Sequence, residues 1–140
     1  HLEVGMVGEA GLSRWSPQAL ALLRVVSGLI FLEHGTQKFL GLPSGRAAWS
    51  GLGFDNLGAF AGVIEIVAGT LIVLGLFTRL AAFVASGAMA AAYWIAHAPQ
   101  NFFPVNNGGD AAILYCFIFL YLVFAGPGAF AIDNSRSRSK

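Results

Sequence analysis

Three ionisable residues lie in apolar stretches at positions from which they can meet. At about 100° per residue along a helix, Gly28, Phe31, Gly35 and Lys38 fall within about 40° of Arg24. One helix face therefore carries two cations and two glycines. A second apolar stretch places Gly58, Gly62, Glu65 and Gly69 at spacings of four, three and four, again on one face. Glycines allow close backbone approach between helices in lipid. The two faces are therefore expected to meet and to bring Glu65 towards Arg24 and Lys38 as a buried polar network. A charge at the centre of a membrane helix costs about 2.5 to 3.5 kcal/mol on insertion scales, so each is retained for a purpose. Two purposes fit: an ion pair that locks the helices, or a proton- or ligand-handling site. Glu33 lies about 180° from Arg24 on the same helix and belongs to another contact.

A second group gathers by depth. His34, Tyr93 and Tyr115 lie at a similar distance outward from the middles of their helices, with Trp94 and His97 just beyond. They suit either an interfacial aromatic belt or a pocket for a flat, amphipathic, lipid-soluble molecule such as a quinone. In that pocket aromatic rings would stack on the ligand, while His34 and the tyrosine hydroxyls would bond its oxygens. Other chemistries are not specified. His34 and His97 are too few and too separated for a zinc or haem site, so no metal is expected. No phosphate-binding glycine loop occurs, and the serines lack an acid–base constellation. Cys116 is the chain's single cysteine, which excludes a dithiol within one chain.

These side chains need helices to hold them. Ser16-Pro17 reads as a helix start, and spans are predicted over about 17–40, 57–77, 80–96 and 111–125, with Thr78-Arg79 as a tight turn. Residues 1–16 form a short N-terminal segment, with Met6 a candidate start and His1 to Gly5 an appended extension. The Gly/Pro/Ser-rich stretch 41–56 is a loop whose Trp49 and Phe54 suit an interface. Pro99, Pro104 and Asn106-Asn107-Gly108-Gly109 break the helix over 97–110. Gly126-Pro127-Gly128 ends the last span, and 134–140 is a basic tail. The expected fold is all-α, a single four-helix transmembrane domain over 17–133, running up-down-up-down.

Composition agrees with that class. Of 140 residues, 56% are hydrophobic and only 11% charged, against roughly 25% charged in soluble domains. A net charge of +1 leaves no footprint for nucleic acid. Four spans put both termini on one side, with Arg14, Arg79, Arg136, Arg138 and Lys140. Lys38 and Arg46 lie on the other. The basic excess predicts cytoplasmic termini and a multi-pass inner-membrane protein without a cleavable signal peptide.

Taken in order, these motifs resemble the DoxX family. The first helix is carried by Arg24, Gly28-Leu29-Ile30-Phe31-Leu32 and His34-Gly35-Thr36-Gln37-Lys38-Phe39-Leu40-Gly41. Glu65, Gly69 and Gly75-Leu76-Phe77-Thr78-Arg79-Leu80-Ala81-Ala82 match the second helix and its turn. Asn106 to Asp110, and Gly126-Pro127-Gly128 followed by Asp133, match the last hairpin and its exit. The likeness covers about residues 20–133 and implies a four-helix inner-membrane protein. Relatives include subunits associated with thiosulfate:quinone oxidoreduction, terminal-oxidase complexes and oxidative-stress assemblies. No family role transfers to Glu33. The expected function is the membrane subunit of a quinone-linked redox system. It would have no intrinsic cofactor beyond quinone itself, with membrane lipid and a redox partner protein or further copies as partners. A small proton-coupled transporter and a structural anchor for a soluble partner are the alternatives.

Overall fold

The computed structural model describes residues 2–43, 45 and 57–137. The expectations for His1, for Arg46, Trp49 and Phe54 in the first loop, and for Arg138 and Lys140 in the tail lie outside the described residues. Within them every regular element is helical: α1 (Leu2–Ser13), α2 (Ser16–Leu40), α3 (Leu57–Leu74), α4 (Thr78–Ala92), α5 (Pro104–Asn107), α6 (Asp110–Ala125) and α7 (Ile132–Ser137). Helix α4 runs on through a π-helical turn, Tyr93–His97, and a 3-10 turn, Ala98–Gln100. Three helical runs, Ser16–Leu40, Leu57–Leu74 and Thr78–Gln100, are long and apolar enough to cross a membrane. Helix α6 is apolar but has only 16 residues, about 24 Å at 1.5 Å per residue.

Local chemistry sets the boundaries. Pro17 sits in the first turn of α2, where its missing amide proton costs nothing. Gly41 closes that helix in the left-handed region at φ 71. The turn after α3 falls at Gly75–Phe77 rather than at Thr78-Arg79. Gly75 takes φ 67 there, and Thr78 is already the first residue of α4. Residues 1–16 are expected from the sequence as a short N-terminal segment containing glycines. In the structure α1 forms regardless, and a Cβ on Gly8 or Gly11 would meet open space, so neither glycine answers to a neighbour.

The helices associate through small residues. A Cβ on Gly28 would lie 2.9 Å from Val73, and one on Gly35 would lie 2.9 Å from the Gly62 oxygen. One on Gly69 would lie 3.1 Å from the Leu32 backbone. These pairings run in opposite senses, so α2 and α3 are antiparallel. Helices α4 and α6 form a second antiparallel pair. Arg79 bonds the Val123 and Phe124 oxygens at 2.8 and 2.7 Å, Ser86 bonds the Cys116 oxygen at 2.8 Å, and Gly109 abuts Tyr93. Ala81, Ala82 and Ala85 are buried on α4, against Ala68 and Ile72 of α3 and Phe119 and Leu122 of α6 in one core. Phe31 joins the pairs, edge-on to Phe119 at 4.9 Å and tilted on Tyr115 at 5.6 Å. Leu22, Leu29, Phe60, Val67, Leu80, Phe83, Leu114, Phe117 and Phe124 face outward. That surface suits lipid, where packing and interhelical bonds, rather than hydrophobic burial, hold helices together.

At one end of this assembly the chain folds back over itself. Arg24 is 1% exposed. It donates to the carbonyls of Pro127, Ala129 and Phe130, the last two at 3.1 Å. Ala129 donates its amide to the Pro17 oxygen at 2.9 Å, and Asp133 does the same to Gly75 at 2.9 Å. The Asp133 carboxylate accepts from the amides of Phe77 and Thr78 at 2.8 and 3.0 Å, capping the start of α4. Partial burial pushes this carboxyl up. The Thr78 and Phe77 amides and the Arg136 charge outweigh that and hold it below the usual carboxylate range. Arg136 also lies over the Phe77 ring at 4.5 Å.

Candidate functional site

At the opposite end, helix packing brings ionisable and aromatic side chains around a cavity. The glycine faces of α2 and α3 meet, and Lys38 forms an ion pair with Glu65 Oε1. Glu65 is 3% exposed, and its second oxygen, Oε2, has no hydrogen-bond partner among the described residues. Arg24 does not enter this pair, contrary to the expectation of one network. With Gly28 opposite Val73 and Gly35 opposite Gly62 and Ile66, Arg24 lies near the α3–α4 turn. That is about seventeen ångströms along the axis from Glu65 at 1.5 Å per residue, beyond the reach of a guanidinium.

A cavity of ≈ 330 Å³ adjoins the ion pair. Lys38 and Glu65 line it together with His34, His97, Tyr115 and Phe31. His34 stands edge-on to Tyr115 at 6.0 Å, and Tyr115 stacks on Phe119 at 5.7 Å, fixing the ring from behind. His97 comes from the π-helical turn, a departure from α geometry that is often found at functional positions. Its Nδ1 lies 3.1 Å from the Asn107 oxygen. A carbonyl only accepts, so Nδ1 carries the proton, and whenever the ring bears a single proton Nε2 is the acceptor.

Asn107 is the residue that sequence reasoning passed over. It is 4% exposed. Its amide donates to Tyr93 Oη at 3.2 Å and to the Asn101 oxygen at 3.0 Å, and its Oδ1 accepts from Gly109 at 2.8 Å. The signal was present in Asn107-Gly108-Gly109. Gly108 adopts φ 72, and a Cβ on Gly109 would lie 2.6 Å from the Tyr93 ring. Both glycines let the loop close on α4, so Asn107 can hold Tyr93 and His97 in place.

Tyr93 and Trp94 do not join the cavity, which corrects the grouping by depth. They line a separate apolar groove of ≈ 330 Å³ with Met89, Cys116 and Phe117. Trp94 is 70% exposed and meets Tyr93 edge-on at 5.4 Å. Depth along a helix says nothing of direction around it, and these two side chains project to another side of α4. Glu33 is exposed. No group of three or more metal-binding side chains occurs among the described residues.

Comparison with known proteins gives this chain relatives. The DoxX family model matches residues 19–98. The chain is 48% identical to an uncharacterized protein of Haemophilus influenzae, over 88% of this chain and 94% of that one. It is 33% identical to an uncharacterized membrane protein of Mycobacterium tuberculosis, over 87% and 83% respectively. A shorter likeness, 37% identity over 42% of this chain and 45% of the relative, is to the candidate oxidoreductase CatD of Bacillus subtilis. No solved structure matches significantly.

Proposed function

The chain belongs to the DoxX family and is a multi-pass membrane protein, and on that premise we propose that it is the membrane subunit of a quinone-linked redox system. The observation that carries this reading is the cavity where the Lys38–Glu65 pair stands beside His34, His97 and Tyr115. Its ≈ 330 Å³ suits a single substituted ring, with an isoprenoid tail left in the bilayer. Pockets of about 300 Å³ and more accept small ligands, and a few polar groups then fix their orientation. Phe31 and Tyr115 offer ring faces, and the histidines, Tyr115 and Lys38 offer hydrogen bonds to ring oxygens. The CatD name supports a redox setting. No intrinsic cofactor enters this reading, and electrons would pass to or from a partner protein or another copy.

In the proposed arrangement α2, α3, α4 with its extension, and α6 cross the inner membrane as an up-down-up-down bundle. The end bearing Arg24, Arg79 and Arg136 faces the cytoplasm with both termini. The basic excess there supports this orientation, and the cavity then opens toward the outer half of the bilayer. The test is extraction of the purified protein with organic solvent and mass spectrometry of the extract. Quinone should co-purify with the wild type in near-equimolar amount and fall sharply in His34→Ala and Tyr115→Ala. Wild-type protein carrying no more quinone than an unrelated multi-span protein from the same membranes would refute the reading.

A further inference from the structure

Two side chains that line the cavity, Glu65 and His97, each hold a hydrogen-bond acceptor whose natural counterpart is a donor. Glu65 Oε1 is occupied by the Lys38 ammonium, while Oε2 is buried and has no donor among the described residues. An ionised carboxylate oxygen left this way is costly, and a hydrogen bond to it is among the stronger kinds. The second acceptor is His97 Nε2, since Nδ1 is committed to the Asn107 carbonyl. A quinone ring brings only carbonyl oxygens, which are acceptors themselves. Set against the Glu65 carboxylate, such an oxygen would meet lone pairs with lone pairs. A hydroquinone carries O–H groups at the same positions.

We propose that this cavity recognises the hydroxyl-bearing form of its ligand, a hydroquinone or related phenol, through an O–H donated to Glu65 Oε2, in preference to the oxidised quinone. The proposal rests on the quinone-linked reading above and adds which redox state the pocket holds. Lys38 has a structural part in it, because the ammonium occupies Oε1 and leaves Oε2 as the oxygen available to a donor. His34 and Tyr115, each able to donate or accept, are indifferent to redox state. Discrimination therefore falls to Glu65, with His97 able to take the second hydroxyl.

The experiment is anaerobic calorimetry on the full chain in lipid nanodiscs, with a decyl-substituted benzohydroquinone and the corresponding quinone as probes. One charge-assisted hydrogen bond gained should favour the hydroquinone by about tenfold or more. Glu65→Gln should bring the two affinities toward parity, because an amide can donate to a quinone oxygen. Lys38→Met/Glu65→Gln leaves no stranded ammonium and serves where the single variant fails to fold. It too should lose the preference. Equal affinities in the wild type, or tighter binding of the quinone, overturn the proposal and leave the pocket reading standing. Binding of neither probe overturns both. A preference that survives unchanged in the double variant removes Glu65 from the role.

Discussion

Replacing Gly35 by alanine tests whether the α2–α3 contact holds the site together. A Cβ there would lie 2.6 Å from Ile66 Cγ1, 2.9 Å from the Gly62 oxygen and 3.0 Å from the Ile66 nitrogen. Two of these three atoms are backbone, so no side chain can swing aside to relieve them. Ordinary contact begins at 3.4 Å, so the helices must part by about half an ångström. Overpacking of this kind costs about 1 to 3 kcal/mol, and rigid backbone on both sides puts Gly35→Ala at the upper end. Alanine returns up to about 1 kcal/mol of helix propensity, for a net loss of about 2 kcal/mol. Gly87 gives the control, since a Cβ there meets nothing within 4 Å and Gly87→Ala keeps the propensity gain. The two variants should differ by about 3 kcal/mol. At the scale of soluble domains that is roughly 6 to 12 °C in the apparent midpoint. Thermal unfolding in one detergent, followed by tryptophan fluorescence, reads the difference. If Gly35→Ala proved as stable as Gly87→Ala, close backbone approach would not be what joins α2 to α3.

Three further outcomes follow from the geometry. Arg24→Gln should free the strap over residues 126–134 and speed its cleavage in limited proteolysis. Arg24→Lys should restore little, because an ammonium cannot fork across three carbonyls as a guanidinium does. Asp133→Asn leaves one oxygen for two amides and should cost about 1 kcal/mol at neutral pH, the usual scale for one hydrogen bond. The folded carboxyl lies below its ordinary value of 3.8, so this stabilisation is complete above that value and is lost as pH falls through the folded one. The midpoints of wild type and variant should therefore converge in acid, and a gap that persists there would refute the cap. In a Cys116→Ala background, cysteine at Gln100 should react with an impermeant reagent on intact cells and cysteine at Ser135 only after permeabilisation. The reverse pattern would invert the proposed orientation.

Much of the helical organisation was legible in the sequence because its signals are side-chain signals. Apolar runs, the glycine spacing on two helices, and Gly126-Pro127-Gly128 all act locally. The meeting of Lys38 with Glu65 followed from faces and glycines alone. Arg24 was misassigned because its acceptors are main-chain carbonyls, which leave no mark on residue type. Gly126-Pro127-Gly128 announced an end to α6 without announcing that the exposed oxygens beyond it would be used. Tyr93 and Trp94 were grouped with His34 and Tyr115 because depth can be estimated from position along a helix. Direction depends on an unbroken period, and the π-helical turn at Tyr93–His97 interrupts it. Asn107 stayed hidden for a related reason: its glycine neighbours read as chain breakers, although their freedom is what lets the asparagine dock.

The Arg24 clasp has a bearing on biosynthesis. Its acceptors, Pro127, Ala129 and Phe130, lie more than a hundred residues further along the chain. A nascent protein inserting its first long helix therefore carries an unanswered guanidinium until residues 127–130 have been made. Arg24 lies towards the end of its span, so the cost is below the ~2.5 to 3.5 kcal/mol of a charge at a helix centre. A chain that stops short of residue 127 keeps that burden permanently, and its first helix is the one that quality control should find loose. The strap over residues 126–134 is thus what allows the first long helix to settle, and a chain cut before it differs from the uncut one at a point far from the cut.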